Sequence, residues 1–131
     1  MYVLTATTNP GPVPSNPTYS TTTVFCGHGG APAVSSNGIT QNTGIVWAIE
    51  DSNVDNPRDC AAGFNHVNYT NAILHAYNAN NLQDLYDSPQ SAAGLPRAFT
   101  TPMIFNGRVY MGTQTEVDVF GLCTVQQPCI D

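Results

Sequence analysis

Residues 99–122 restrict the fold most strongly, because three short β-branched and aromatic runs alternate there with two tight turns. Asn106-Gly107 separates the first two runs, and Gln114-Thr115 separates the second run from the third. An Asn-Gly pair between such runs is the strongest short-range signal for a β-hairpin. The spacing therefore predicts three consecutive antiparallel strands, and a strand group of this size needs neighbours to be stable.

The rest of the chain repeats this pattern of short apolar runs and turn residues. Strand-like runs occupy residues 2–8, 21–26, 31–38 and 44–50. Residues 72–88 are ambiguous, because the spacing of their leucines and tyrosines also fits a helix, but their Asn-rich centre favours two strands joined by a turn. Eight or nine short, regularly punctuated strands predict an all-β protein, either a sandwich or a propeller.

The charge content of the chain is unusual and excludes two classes of partner. There is no lysine, and three arginines stand against nine carboxylates, for a formal net charge of -6. Nucleic-acid phosphates and anionic membrane surfaces both require clustered cations. No apolar run approaches the ~20 residues of a membrane-spanning helix. We therefore expect no nucleic-acid partner and no membrane span.

The cysteines Cys26, Cys60, Cys123 and Cys129 form an even set without Cys-x-x-Cys spacing. In an extracellular chain such a set predicts two disulfides, and three pairings are allowed. Cys123 and Cys129 bracket a loop short enough to close locally, which would leave Cys26 to pair with Cys60. Buried free thiols in a reducing compartment are the alternative.

The polar composition favours an extracytoplasmic location: periplasmic, cell-surface or secreted. Thr, Asn, Ser and Gln make up most of the polar residues, as is common in secreted β proteins. The first residues contain no basic segment, and their apolar run is too short for a signal peptide. We therefore expect that the signal peptide is absent from this chain, and that the chain is a processed product or part of something longer.

Histidines beside cysteines raise the question of a metal site. His28 lies close to Cys26, and His66 lies close to Cys60, but the spacings match no zinc module. Disulfides and loop packing are therefore favoured, and we predict no metal site. Asn68 heads a formal Asn-x-Thr glycosylation sequence, which matters only in a eukaryotic secretory setting.

The remaining candidate residues are all expected to be structural. Residues 50–55 are rich in oxygen ligands but lack the glycine and terminal glutamate of a calcium-binding EF-hand loop, so a solvated turn is favoured. We expect His75 to be a structural strand residue, Trp47 to pack between sheets, and Glu116 and Asp118 to share a solvent-exposed face. No nucleophile–base arrangement or phosphate loop occurs, so we predict no catalytic residue.

Four segments, in order, resemble the repeats of a known propeller family. They read PAVSSNG (32–38), GIVWAIE (44–50), ILHAYNANNLQDLYDS (73–88) and TTPMIFNGRVYMGTQTEVDVFGL (100–122). This order is similar to the C-terminal blades of pyrroloquinoline-quinone (PQQ)-type repeat β-propellers, the quinoprotein alcohol dehydrogenase-like family. Blades of that family run from Pro-x-Val and Asn-Gly through a Val-Tyr-x-Gly strand, and a leucine-rich outer strand closes them.

The resemblance implies two to three blades, each a four-stranded antiparallel sheet, over residues 31–122. N-terminal strands and a Pro-rich loop (1–30) would precede them, and a tail with a local disulfide (123–131) would follow. Because propellers have about 4–8 blades, the partners expected are other blades, supplied by missing sequence or by sister chains.

The resemblance also bears on function. It implies a non-catalytic binding and assembly module. The alternatives are the C-terminal part of a quinone-dependent dehydrogenase, or a structural subunit of a cell-surface filament or coat. PQQ or calcium is expected only in a complete quinoprotein propeller, so no cofactor is predicted for this chain alone.

Overall fold

The computed structural model describes residues 16–25, 30–50, 70–97 and 99–121. This part of the chain is all-β, as the sequence predicts, and apart from one 3-10 turn at Gln90–Ala92 it contains no helix. The strands are β1 (Ala33–Ser35), β2 (Ile45–Glu50), β3 (Ile73–Asn78), β4 (Asp84–Asp87), β5 (Met103–Phe105), β6 (Arg108–Gly112) and β7 (Val117–Gly121). Residues 72–88 therefore contain the two strands that the sequence favours, and the helical interpretation is wrong.

The strands form two open antiparallel sheets in which spatial order follows sequence order. The first sheet has the order β1-β2-β3-β4, and the second has the order β5-β6-β7. The first sheet thus has the four strands expected of a blade, whereas the second has three. The described residues do not close into a ring.

The turns explain why the strands reverse where they do. Asn106 and Gly107 both have positive φ, 48° and 72°, which is the conformation of the two-residue hairpin turns that join twisted strands. Between β3 and β4, the Asn78 carbonyl accepts the Leu82 amide at 2.8 Å, and Leu82 itself takes a positive φ of 57°. The Asn-Gly prediction is therefore confirmed by the β5–β6 hairpin.

The core lies between the inner faces of the two sheets. Its fully or almost fully buried side chains are Ile49, Ala72, Leu74, Ala93, Val109 and Met111. Trp47 packs against this cluster from β2, as do Ile104 and Phe120 from the second sheet. The Trp47 indole also donates a hydrogen bond to the Ser35 hydroxyl at 2.9 Å. The expectation that Trp47 packs between sheets is confirmed.

A short segment between the sheets ties them together through backbone hydrogen bonds. Gly94 accepts from the Ala72 amide at 2.9 Å, and its own amide donates to the Asp118 carboxylate at 3.3 Å. Asp118 is therefore half-buried and engaged, whereas Glu116 precedes β7 and is exposed. Both carboxylates lie against this segment, since an added Cβ on Gly94 would stand 2.6 Å from Oε1 of Glu116. They therefore share one side, as predicted, but the expected solvent exposure is found only for Glu116.

The segment of residues 16–25 differs from the prediction in one strand. Residues 16–25 contain no strand, so the strand expected at residues 21–26 is absent from its described portion. Phe25 instead packs its ring against His75 and Tyr77, on the side of the first sheet that faces away from the second. The predicted strand at residues 2–8 and all four cysteines lie outside the described residues, so both disulfides stay predictions.

Candidate functional site

The outward side of the second sheet is apolar and exposed, and we call it the outer face. It consists of Met103, Phe105, Arg108, Tyr110, Val117 and Val119. Phe105 is 67 % exposed and Val117 is 64 % exposed, values usual for polar strand positions. Isolated surface hydrophobic residues are normal, but a contiguous apolar sheet face indicates a surface that another molecule or segment covers.

Strand register explains why these side chains form one surface. Met103, Tyr110 and Val119 are opposite one another on three neighbouring strands, so their side chains lie in one row on the same side of the sheet. Side chains alternate along each strand, and the intervening residues, such as Val109 and Met111, point into the core. The second sheet is therefore apolar on both sides, as a sheet with neighbours on both sides would be.

Arg108 is the only charged residue of the outer face. Its aliphatic stem lies over Gly121, where an added Cβ would stand 3.4 Å from Cγ of Arg108. It forms no ion pair with any residue that the structure describes. A guanidinium among apolar side chains recognises carboxylates well, because its planar fork donates two parallel hydrogen bonds and is weakly hydrated.

The edge strand β4 has the opposite charge. All four of its residues are exposed, and Asp84, Leu85, Tyr86 and Asp87 combine two carboxylates with two large side chains. An open edge also presents unpaired backbone groups to solvent. This strand and the outer face are thus complementary in charge, and both are partly apolar.

A buried charged cluster lies on the first sheet, on the side opposite the core. Nδ1 of His75 is 2.6 Å from Oδ1 of Asp87, and Nε2 is 2.8 Å from Oε2 of Glu50. The His75 side chain is only 5 % exposed, against 13 % for Glu50 and 57 % for Asp87. We call these three residues the histidine cluster; it links β2, β3 and β4.

The geometry fixes how many protons the cluster holds. A carboxylate oxygen and an imidazole nitrogen hydrogen-bond only if one proton lies between them, so the two contacts require two protons. The cluster then carries a net charge of -1, with the imidazolium between two carboxylates. Burial lowers the pKa of His75, but hydrogen bonds to Glu50 and Asp87 and the attraction of their charges outweigh burial and raise it above its ordinary value of 6.5.

Two aromatic rings complete the surroundings of His75. Tyr77 stacks on the imidazole with ring centroids 5.9 Å apart, and Phe25 contacts it edge-on at 5.6 Å. A cationic imidazole is favoured against the negative face of such a ring. The pKa of Tyr77 is raised, chiefly by burial, although hydrogen bonding with Thr23 lowers it in part. Among the described residues, no group is well enough aligned with the buried hydroxyl of Tyr77 to satisfy it with a hydrogen bond.

The outcome for the sequence-predicted sites follows from these positions. His75 is a buried strand residue, as expected, but its two carboxylate partners were not anticipated, since they are 25 and 12 residues away. Glu50 belongs to β2 and points to His75, whereas residues 51–55 of the oxygen-rich turn lie outside the described residues. His28, His66 and Asn68 also lie outside them.

Two features are absent from the described residues. These residues contain no group of three or more His, Cys, Asp and Glu arranged to hold a metal ion. Over the same residues, no helix is long and apolar enough to cross a membrane. No protein-family model, curated protein or solved structure matches this chain.

Proposed function

We propose that this protein is a non-catalytic, extracytoplasmic assembly module whose outer face binds a second copy of the same chain. The observation that carries the proposal is the exposed apolar face around Arg108. An apolar sheet face of this kind is costly to leave in water and stable once another surface covers it. The quinoprotein-like resemblance points the same way, because it implies that further blades, supplied by missing sequence or by sister chains, contact this one.

Charge complementarity is the reason for choosing a second copy as the partner. The outer face offers one guanidinium among apolar side chains, and β4 offers Asp84 with Leu85 and Tyr86, all exposed. A contact between the outer face of one copy and β4 of the next would pair Arg108 with a carboxylate and bury apolar area on both sides. Opposite charges at such a contact fix its register and its partner.

A contact between two different surfaces is head-to-tail, and this has consequences for the assembly. Head-to-tail contacts generate rings when the rotation between copies closes, and open filaments when it does not. A ring would be the propeller that the resemblance implies, completed by sister chains. A filament would be the surface-fibre subunit that the sequence also allows. Electron microscopy of the assembled material separates the two.

The first experiment measures self-association by sedimentation velocity over a wide range of concentrations. Val117→Ser and Val34→Ser form a matched pair, because both valines lie on exposed positions of edge strands, at 64 % and 66 % exposure. We expect Val117→Ser to weaken association about tenfold, which corresponds to ~1.4 kcal/mol. We expect Val34→Ser, on β1, to associate like the wild type.

Charge substitutions test the partner surface. Arg108→Asp should abolish association, whereas Arg97→Asp should not, since Arg97 is exposed but lies outside the outer face. Asp84→Arg should abolish it too, and combining it with Arg108→Asp should restore it by reversing the pair. A wild-type chain that is monomeric at every concentration would overturn the proposal, and so would association that Arg108→Asp leaves unchanged.

A further inference from the structure

We propose that the histidine cluster is a proton-operated latch that holds β4 on the first sheet and releases it as the solution becomes more alkaline. The inference is independent of the assembly proposed above, since it concerns only contacts within one chain. It starts from a contrast within the cluster, because His75 and Glu50 are almost fully buried whereas Asp87 is more than half exposed.

Apart from the histidine cluster, few contacts hold β4 on the first sheet. Its register with β3 shifts between Ala76 and Tyr77, so the hydrogen-bonded ladder is interrupted. All its residues are exposed, so it buries little apolar surface. At its end, Ser88 exchanges hydrogen bonds with the backbone of Leu74, both at 2.9 Å. Between the turn and Ser88, the Asp87–His75 pair is the strongest side-chain contact that the described residues give this strand.

The charged state of His75 controls this contact. With two protons, both ring nitrogens donate to carboxylates, and β2, β3 and β4 are joined through one side chain. If one proton leaves, one nitrogen presents a lone pair to a carboxylate oxygen less than 3 Å away. The cluster then carries a net charge of -2 in a largely buried site, and the unfavourable contact is relieved most easily by moving Asp87, its exposed member.

No other charge among the described residues stands close enough to compensate for the lost proton. From β4 the groups facing the cluster are Asp87 and, further along, Asp84; from β2 it is Glu50. On β3 itself Tyr77 stacks on the ring, and from the N-terminal segment Phe25 and Thr23 are uncharged. Among the described residues, the charges that act on His75 are those of Glu50 and Asp87; both are negative, and each favours the imidazolium.

Proton linkage gives the direction and the slope of the pH dependence of β4 opening. In the closed state the pKa of His75 is raised above 6.5, because the hydrogen bonds and charges of Glu50 and Asp87 outweigh burial. Opening β4 removes Asp87 but leaves Glu50 in place, so the open-state pKa is lower than the closed-state pKa. The latch is fully held below the open-state pKa and is lost as the pH rises through the closed-state pKa. Between these two values opening releases one proton. The equilibrium constant for opening β4 should therefore increase up to about tenfold per unit of pH, and then level off.

The experiment is hydrogen–deuterium exchange of the peptide that covers residues 84–88, at concentrations where the chain is monomeric. Rates measured across neutral and alkaline pH are corrected for the intrinsic pH dependence of exchange. The wild type should show the rise and plateau described above. Asp87→Asn should show fast exchange already at the lowest pH and a weaker pH dependence. Asp84→Asn, on the same exposed strand, is the matched control and should follow the wild type.

A second readout separates a latch from a merely structural contact. The chain has three histidines, so an NMR titration of their ring signals resolves His75, assigned by its loss in His75→Gln. Its midpoint should lie above 6.5 in the wild type and in Asp84→Asn, and lower in Asp87→Asn. A pH-independent opening constant in the wild type would overturn the proposal. So would an Asp87→Asn variant that matches Asp84→Asn in both measurements. The exchange measurement does not depend on the His75→Gln variant.

Discussion

Replacing Leu74 by alanine tests the sandwich packing most directly, because Leu85 provides the same deletion in the opposite environment. Leu74 is fully buried in the core from β3, and Leu85 on β4 is 52 % exposed. Burying a leucine side chain is worth ~1.5–3 kcal/mol in transfer alone. A cavity left between two sheets collapses poorly, so we expect Leu74→Ala to lower the free energy of unfolding by about 3–4 kcal/mol, within the range of such substitutions.

Leu85→Ala leaves no cavity and loses only about half of the transfer free energy of a buried leucine. We therefore expect it to lower the free energy of unfolding by ~1 kcal/mol or less. Urea unfolding followed by Trp47 fluorescence measures both variants, with unchanged slopes required for the comparison. Equal losses for the two variants would refute the core as described. If Leu74→Ala does not fold, Ile49→Val deletes one methylene from the same cluster and should cost ~0.5–1.5 kcal/mol.

Three further predictions concern single residues. Gly94→Ala should destabilise the protein by ~1–2 kcal/mol in urea unfolding, because the added Cβ would stand 2.6 Å from Oε1 of Glu116 and 2.8 Å from Oγ1 of Thr113. The exposed Glu116 side chain can move aside, so Glu116→Ala in the same chain should recover only a small part of the loss. Gly107→Ala should cost ~1–2 kcal/mol because its φ is 72°, whereas Gly112→Ala, whose Cβ would meet only an ordinary contact at 3.7 Å, should cost less. Trp47→Ala should cost about 3 kcal/mol, and a loss below about one would contradict its packing against the core.

Local features of the fold were predictable, and long-range ones were not. Asn106-Gly107 identified the β5–β6 hairpin, because that dipeptide matches the positive φ values which the turn requires. The β3–β4 hairpin was harder to predict, because the spacing of its leucines and tyrosines also fits a helix. Its turn places Leu82 at a positive φ, a conformation that a leucine in the sequence does not indicate. β3 is buried on both sides as a central strand between β2 and β4, a pattern that an amphipathic helix with one apolar face would not show.

The candidate sites differ in how far the sequence could reveal them. The outer face left a signal on β5, since Met103 and Phe105 flank Ile104, which packs against the core, so that this strand is apolar on both sides. The histidine cluster left none. His75 meets Asp87 only because of the strand register, and the bulge beside it shifts that register by local geometry rather than by any residue pattern.

The sequential strand order within each sheet bears on how the protein folds. Every strand pairs with the strand that precedes or follows it in the chain, so each sheet can form without waiting for the other. The slowest pairing within a sheet should be that of β2 with β3, which are joined by the longest connection and lose the most chain entropy when they meet. Until the second sheet docks, Trp47, Ile49 and Leu74 are open to solvent. During synthesis, the first sheet therefore emerges with an uncovered apolar side, and it stays vulnerable to aggregation until residues 103–121 have been made.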